Sequence, residues 1–260
     1  MIDELLAKGD AAATANVITC MAQGLNHGLL STDAADEDDA KAARALYIDI
    51  ISNMAESAND ASSRSRMVGP LEITTAAPEQ MTNNATDKAL DLVGSLLGAS
   101  DTISEEDGAK VAKTTSNLLK SSASLAPPLA GQRQQNNSDA SDPSTNQSTA
   151  QSADRSSKVV GLIGNLTGAL LGGSVAGESV TVSAGTFKLE GSRQSAADMG
   201  NKTAGGGAVM VPGGIDYGDS EEIDLHLVEW GEENPFFEVS RLARPMSSVQ
   251  EYFEVINPIL

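Results

Sequence analysis

The chain has 260 residues, with 17 basic and 36 acidic side chains and a net charge of −19. That field repels phosphate backbones and anionic lipid surfaces, which excludes sequence-independent nucleic-acid binding. A single cysteine, Cys20, excludes an internal disulfide and a multi-cysteine zinc site, and 3% aromatic residues leave a thin, aliphatic core.

The first 125 residues read as helical. Asp10 caps a stretch whose apolar positions Ala13, Val17, Cys20 and Met21 fall on one stripe. A second helix follows Ser31-Thr32, with Ala43, Leu46, Tyr47, Ile50 and Met54 on its buried face. Its opening acids, Asp33, Asp36, Glu37, Asp38 and Asp39, lie where the helix dipole favours negative charge. A third helix begins near Pro78 as an N1 proline, with Met81, Ala85, Ala89, Leu92, Val93 and Leu96 as its stripe. A fourth starts at Ser104, followed by Glu105-Glu106-Asp107 as an approximate capping box.

Residues 126–158 form a polar insert that cannot bury enough apolar surface to offset its ordering entropy, so the sequence predicts disorder there. Helical periodicity returns over 159–174, with Val159, Leu162, Ile163, Leu166 and Leu170. Beyond Gly177 the period switches to two. Val180 and Val182, Phe187 and Leu189, and Ile223, Leu225 and Leu227 each alternate with polar residues. Val209 and Val211 precede the turn Pro212-Gly213-Gly214. Helices segregated from strands predict an α+β fold: a helical subdomain over 1–125 and 159–174, then a β-sandwich-like subdomain over 175–260.

Little in this pattern supports catalysis. Cys20 lies on the predicted apolar stripe and reads as a small core residue. A continuous helix would separate Cys20 and His27 by roughly 10 Å, too far for a nucleophile–base pair. His226 sits on the polar face of its strand without a catalytic companion. No Gly-x-Ser-x-Gly elbow occurs, and Gly205-Gly206-Gly207 precedes a strand rather than a phosphate-binding helix. The expectation is a non-enzymatic protein without a cofactor.

Two sets of residues remain as candidate sites. The acids Asp216, Asp219, Glu221, Glu222 and Asp224 offer loop carboxylates for one Ca²⁺, although a solvated acidic turn is the favoured reading. The run from Asp33 fails the EF-hand pattern, because Asp38 stands where glycine is needed and Arg44 where glutamate is needed. Asn-x-Ser/Thr acceptors for N-linked glycans occur at Asn84, Asn136, Asn146, Asn165 and Asn201. Asn84 and Asn165 fall away from their helices' apolar stripes, as any polar residue would.

The run Leu71-Glu-Ile-Thr-Thr-Ala-Ala-Pro78-Glu79-Gln80-Met81, leading into Ala89-Leu-Asp-Leu-Val-Gly-Ser-Leu-Leu97, resembles the helical region after the receptor-for-egg-jelly module of polycystin-family proteins. So does Val159-Val-Gly-Leu-Ile-Gly-Asn-Leu-Thr-Gly-Ala-Leu-Leu171 passing into Glu178-Ser-Val-Thr-Val-Ser-Ala-Gly-Thr-Phe187-Lys-Leu189. Leu227-Val-Glu-Trp230 with Asn234-Pro235-Phe236 is similar to the strand and Asn-Pro-Phe segment of the same proteins. The resemblance spans residues 70 to 237 and implies a GAIN-like region on the extracellular side of a membrane protein. It implies adhesion or mechanosensory signalling, with a protein or glycan ligand at the cell surface. Self-cleaving members cut at His-Leu-Ser/Thr; here His226-Leu227 is followed by Val228, which has no nucleophile.

The alternative is a cytosolic acidic helical scaffold docking onto partner helices. Met1-Ile2-Asp3-Glu4 lacks the basic start of a signal peptide, and no apolar run approaches the roughly 20 residues of a membrane span. A chain complete as given is therefore expected in the cytosol.

Overall fold

A computed structural model describes residues 5, 9–28, 34–58, 60–98, 102–125, 143–204, 209–215 and 221–231, except for the side chains of 34–36, 122–125, 143–153 and 204. Its described residues form six helices followed by short antiparallel strands, an α+β fold.

Helix α1 (Ala11–Asn26) starts where expected, with the Asp10 carboxylate accepting from the Ala13 N–H at 2.9 Å. Its buried face is Thr14, Ala15, Ile18 and Ala22, one residue round from the expected stripe. Bulky Ile18 takes the core position, while Ala15 and Ala22 beside it let neighbouring helices approach. Cys20 and Met21 consequently face solvent, so the reading of Cys20 as a core residue is corrected.

Helix α2 (Ala34–Ser57) buries Tyr47, Ile50 and Met54 as expected and adds Ile48 and Ile51, while Leu46 stays 55% exposed. Helix α3 (Ala61–Thr74) lies where the sequence periodicity indicates none. Asp60 caps it, accepting from the Ser63 N–H at 2.8 Å, and Met67, Val68 and Leu71 are buried despite an internal Pro70. Pro78 opens a 3-10 turn (Pro78–Gln80) rather than the next helix, which begins at Asn83. The stripe predicted from Met81 to Leu96 is buried in full along that turn and α4 (Asn83–Gly98). Helix α5 (Glu105–Leu125) is capped by the Ser104 hydroxyl, which accepts from the Asp107 N–H at 3.1 Å.

Helix α6 runs from Pro143 to Leu171, so residues 143–158 of the expected polar insert are helical; residues 126–142 lie outside the described residues. Charge supplies what apolar burial cannot. Arg155 donates to both carboxylate oxygens of Asp87 at 2.6 and 2.9 Å and to Asn83 Oδ1 at 2.6 Å. Lys158 reaches Asp91 at 3.1 Å, and both contacts fasten this polar stretch to α4.

Strands β1 (Ser179–Ala184), β2 (Phe187–Ser195) and β5 (Glu222–Trp230) form one antiparallel sheet in the order β1-β2-β5. Strands β3 (Thr203–Ala204) and β4 (Val209–Met210) form a second, two-stranded sheet. The register pairs Phe187 with Trp230, Leu189 with Val228, and Gly191 with His226, placing these residues on one face. That inner face joins the helical core: Val182, Phe187, Leu189 and Trp230 cluster with residues of α4, α5 and α6. Ile223, Leu225 and Leu227 point the other way, onto Met199 and Val211. The α+β class expected from the sequence is thus present. Among the described residues, helices cover one face and a short two-stranded sheet with its flanking turns covers the other.

Docking of sheet on helix is tight at Gly191, where an added Cβ would lie 2.7 Å from Thr167 Cγ2 and 3.2 Å from Leu171 Cδ1. Gly191→Ala therefore overpacks this contact and should lower unfolding stability by about 1–3 kcal/mol. Gly161→Ala on α6, where a Cβ meets nothing within 4 Å, should instead raise it by about 1 kcal/mol through helix propensity. Urea melts of the two variants against the parent chain check both signs.

Candidate functional site

Among the described residues, several buried polar side chains hold elements together. The most buried example is Arg44 of α2, which has no exposed surface. Its Nη1 donates to the Thr74 carbonyl at 2.7 Å and its Nη2 to Asn26 Oδ1 at 2.7 Å. Its Nε and Nη2 both reach Gln80 Oε1, at 3.0 and 2.8 Å. One guanidinium thus ties α1, α2, α3 and the 3-10 turn. Burial holds its pKa below the ordinary arginine range, partly countered by Glu79 and the Tyr47 phenol. All four of these bonds end on neutral oxygens, so this is a structural junction whose acceptors are already used.

A cavity of about 470 Å³ opens between the N-termini of α1 and α3 and the C-terminal end of α2, lined by Asp10, Thr14, Met54, Ser57, Asp60 and Met67. Asp10 and Asp60 are both engaged in capping their own helices. The Asp60 carboxyl is held below its usual range by the Ser63 hydroxyl and N–H. Cys20 and His27, weighed above as a catalytic pair, are both exposed, and His27 is the C-cap of α1.

Of the acidic set proposed for Ca²⁺, Asp216 and Asp219 lie outside the described residues. Glu221 and Glu222 are exposed. Asp224 is spoken for: Arg193 on β2 donates to both of its oxygens at 2.8 Å, and Glu222 stands 3.8 Å from the same guanidinium. Arg193 also donates to the Ser174 carbonyl at 3.1 Å, just past the end of α6. The Asp224 carboxylate raises the Arg193 pKa. Among the described residues no group of three or more His, Cys, Asp or Glu is arranged to hold a metal.

The sequon asparagines separate by environment. Asn84, at the start of α4, and Asn165, on α6, are exposed, as the helical stripes suggest. Their partner threonines are not: Thr86 is fully buried with its hydroxyl 2.8 Å from Ser121 Oγ, and buried Thr167 donates to the Ile163 carbonyl at 2.8 Å. At Asn201, which turns the chain at φ 63°, both the asparagine and Thr203 are exposed. Asn146 lies on α6 with its side chain outside the described residues, as is all of Asn136.

His226 differs most from its sequence reading. The strand's polar face turns out to be the inner face, opposite Gly191 and under α6. Both ring nitrogens are closed off from solvent and have no hydrogen-bond partner among the described residues. Alternation alone hid this, because β5 is covered on both sides. A pairing of His226 with a glycine that itself meets a helix is the signal that would have revealed it.

No known protein family, curated protein or solved structure matches the chain.

Two measurements follow from this geometry. Arg44→Met leaves the buried Thr74 carbonyl without its donor and should lower unfolding stability by about 2–4 kcal/mol, read from urea melts. Because Arg193 already occupies Asp224, millimolar Ca²⁺ should leave the melting temperature unchanged; a rise would restore the cation reading.

Proposed function

We propose that the chain is a non-enzymatic, GAIN-like extracellular module of a polycystin-like membrane protein, acting in cell-surface adhesion or mechanosensory signalling. The observation that carries this reading is the way the helical bundle ends. Its last helix, α6, leads directly into the hairpin β1–β2 and shares one core with the sheet. A load entering through the strands would pass into the bundle by the close contact of Gly191 with Thr167 and Leu171. The exposed Asn84, Asn165 and Asn201 side chains leave room for glycans on such a spacer. Its partner would be a protein or glycan ligand at the cell surface. No helix among the described residues is long and apolar enough to cross a membrane, so any anchoring segment would have to lie elsewhere.

One observation favours the second reading, a cytosolic acidic scaffold. Cys20 is a free thiol on the surface, which a reducing compartment preserves. Leu46 at 55% and Met21 at 39% exposure would then be apolar points for partner helices.

Expression behind a heterologous secretion signal in a eukaryotic host separates the two. The extracellular reading expects folded, secreted protein whose gel mobility rises on enzymatic removal of N-glycans. Asn165→Gln and Asn201→Gln should each remove one mobility step. Secreted protein carrying no glycan at any of these positions would count against it.

A further inference from the structure

We infer that His226 makes the seam between the sheet and α6 sensitive to acid, its imidazole serving as the proton acceptor that loosens β5 from the helix. The inference stands on where the ring is placed. His226 lies on the inner face of β5, between Val228 toward one end of the sheet and Asp224 toward the other. Its cross-strand neighbour is Gly191, above which Thr167 and Leu171 of α6 and Val180 of β1 are packed closely enough to exclude even a methyl group. The two ring nitrogens are buried and have no hydrogen-bond partner among the described residues. A neutral imidazole tolerates this position at the cost of unmet hydrogen bonds, whereas an imidazolium would need an anion.

Among the described residues the anion that acts on the ring is Asp224, and it is in use. Asp224, two residues along β5, accepts both of its hydrogen bonds from Arg193 of β2, at 2.8 Å each. Glu222, further toward the strand end, is exposed and also faces Arg193. From β1, Val180 opposes Gly191, and the nearby Glu178 carboxylate accepts from the Val175 N–H. The α6 residues over Gly191, Thr167 and Leu171, are uncharged; that helix's described charges, Asp154, Arg155 and Lys158, lie at least two turns away toward its N-terminus. On α5, Lys120 stands at the Gly185 turn, at the far end of the sheet. A proton on His226 therefore sets it against Arg193 for the Asp224 carboxylate. Arg193 is also the group that reaches the Ser174 carbonyl beyond α6, so this competition acts on the tie between strand and helix.

Burial lowers the His226 pKa from its ordinary 6.5, with Asp224 opposing part of the shift. A base with a lowered folded-state pKa binds its proton more readily in the unfolded chain. Its contribution to stability is therefore complete above about pH 6.5 and is lost as pH falls toward the folded value. Each unit of lowering corresponds to a tenfold fall in the folded-to-unfolded ratio. This behaviour belongs to the fold and does not depend on where the protein resides.

The chain's single tryptophan, Trp230, is on the same face of the same strand and packs on Phe187 with ring centroids 5.8 Å apart, so its fluorescence reports the seam. Between pH 8 and 5.5 the full chain should show a change in Trp230 emission with a midpoint below 6.5, together with a fall in urea midpoint. His226→Gln, which stays neutral, should abolish the emission change and narrow the urea difference. Proton titration by NMR of the unaltered chain, which has only two histidines to assign, reads His226 directly and does not require the variant to fold. A His226 midpoint at or above 6.5, or an emission change retained in His226→Gln, overturns the inference.

Discussion

The sheet depends on α6. Three strands cannot form a closed core alone, and the inner face carrying Phe187, Leu189 and Trp230 is covered only because helices lie across it. Where Gly191 meets Thr167 and Leu171 the spacing leaves no room for a side chain, which fixes how the strands sit on the helix. Ser116 of α5 adds a polar pin at the hairpin end, accepting from the Thr186 N–H at 3.0 Å, while Arg193 reaches past α6 at the other end. The β part is thus an extension of the helical core, with a small second cluster on its outer side.

The opposite end of the molecule is organised by a different rule. In a chain of net charge −19, the fully buried arginine is satisfied by a carbonyl and two side-chain amides rather than by one of the abundant acids. Planar Arg44 can serve several elements at once because its donors fan out in fixed directions. Elsewhere cations do meet carboxylates, within helices, as Lys41 with Glu37, and between elements: Arg155 with Asp87, Lys113 with Glu72, Lys88 with Asp49. Several of the scarce basic residues thus act as cross-links between elements.

How far the sequence revealed these features depends on which force shaped each element. Apolar spacing located α4 and the longer strands, because burial of Leu, Val and Phe is written in period and size, while the capping residues at Ser104 marked the start of α5. It misplaced the face of α1, where adjacent Val17 and Ile18 compete and only the neighbouring helix decides. It assigned no separate helix at α3, which carries an internal Pro70, although Met67, Val68 and Leu71 supply enough burial to hold it. The first half of α6 was hidden for the opposite reason, since ion pairs to α4 stabilise its described part and polar composition alone suggests disorder. Among candidate sites, exposure of Asn84 and Asn165 could be read from helical phase. The engagement of Asp224 and the enclosure of His226 could not, because both arise from strand pairing across about 30 residues.

That long pairing also sets an order of assembly. The hairpin β1–β2 closes through the two residues Gly185 and Thr186, a local event that needs little chain entropy. Strand β5 must return across the whole segment from Ala196 to Glu221 before it can meet β2, and non-local pairings of this kind form late. During synthesis the bundle and hairpin leave the ribosome first, with Leu189 and Phe187 already able to settle on the helices. The second apolar cluster, built from Met199, Val211 and alternate residues of β5, has no partner surface until that strand arrives. Completion of the described three-stranded sheet is therefore a late docking step, and its outer side is a surface exposed to misassembly before it.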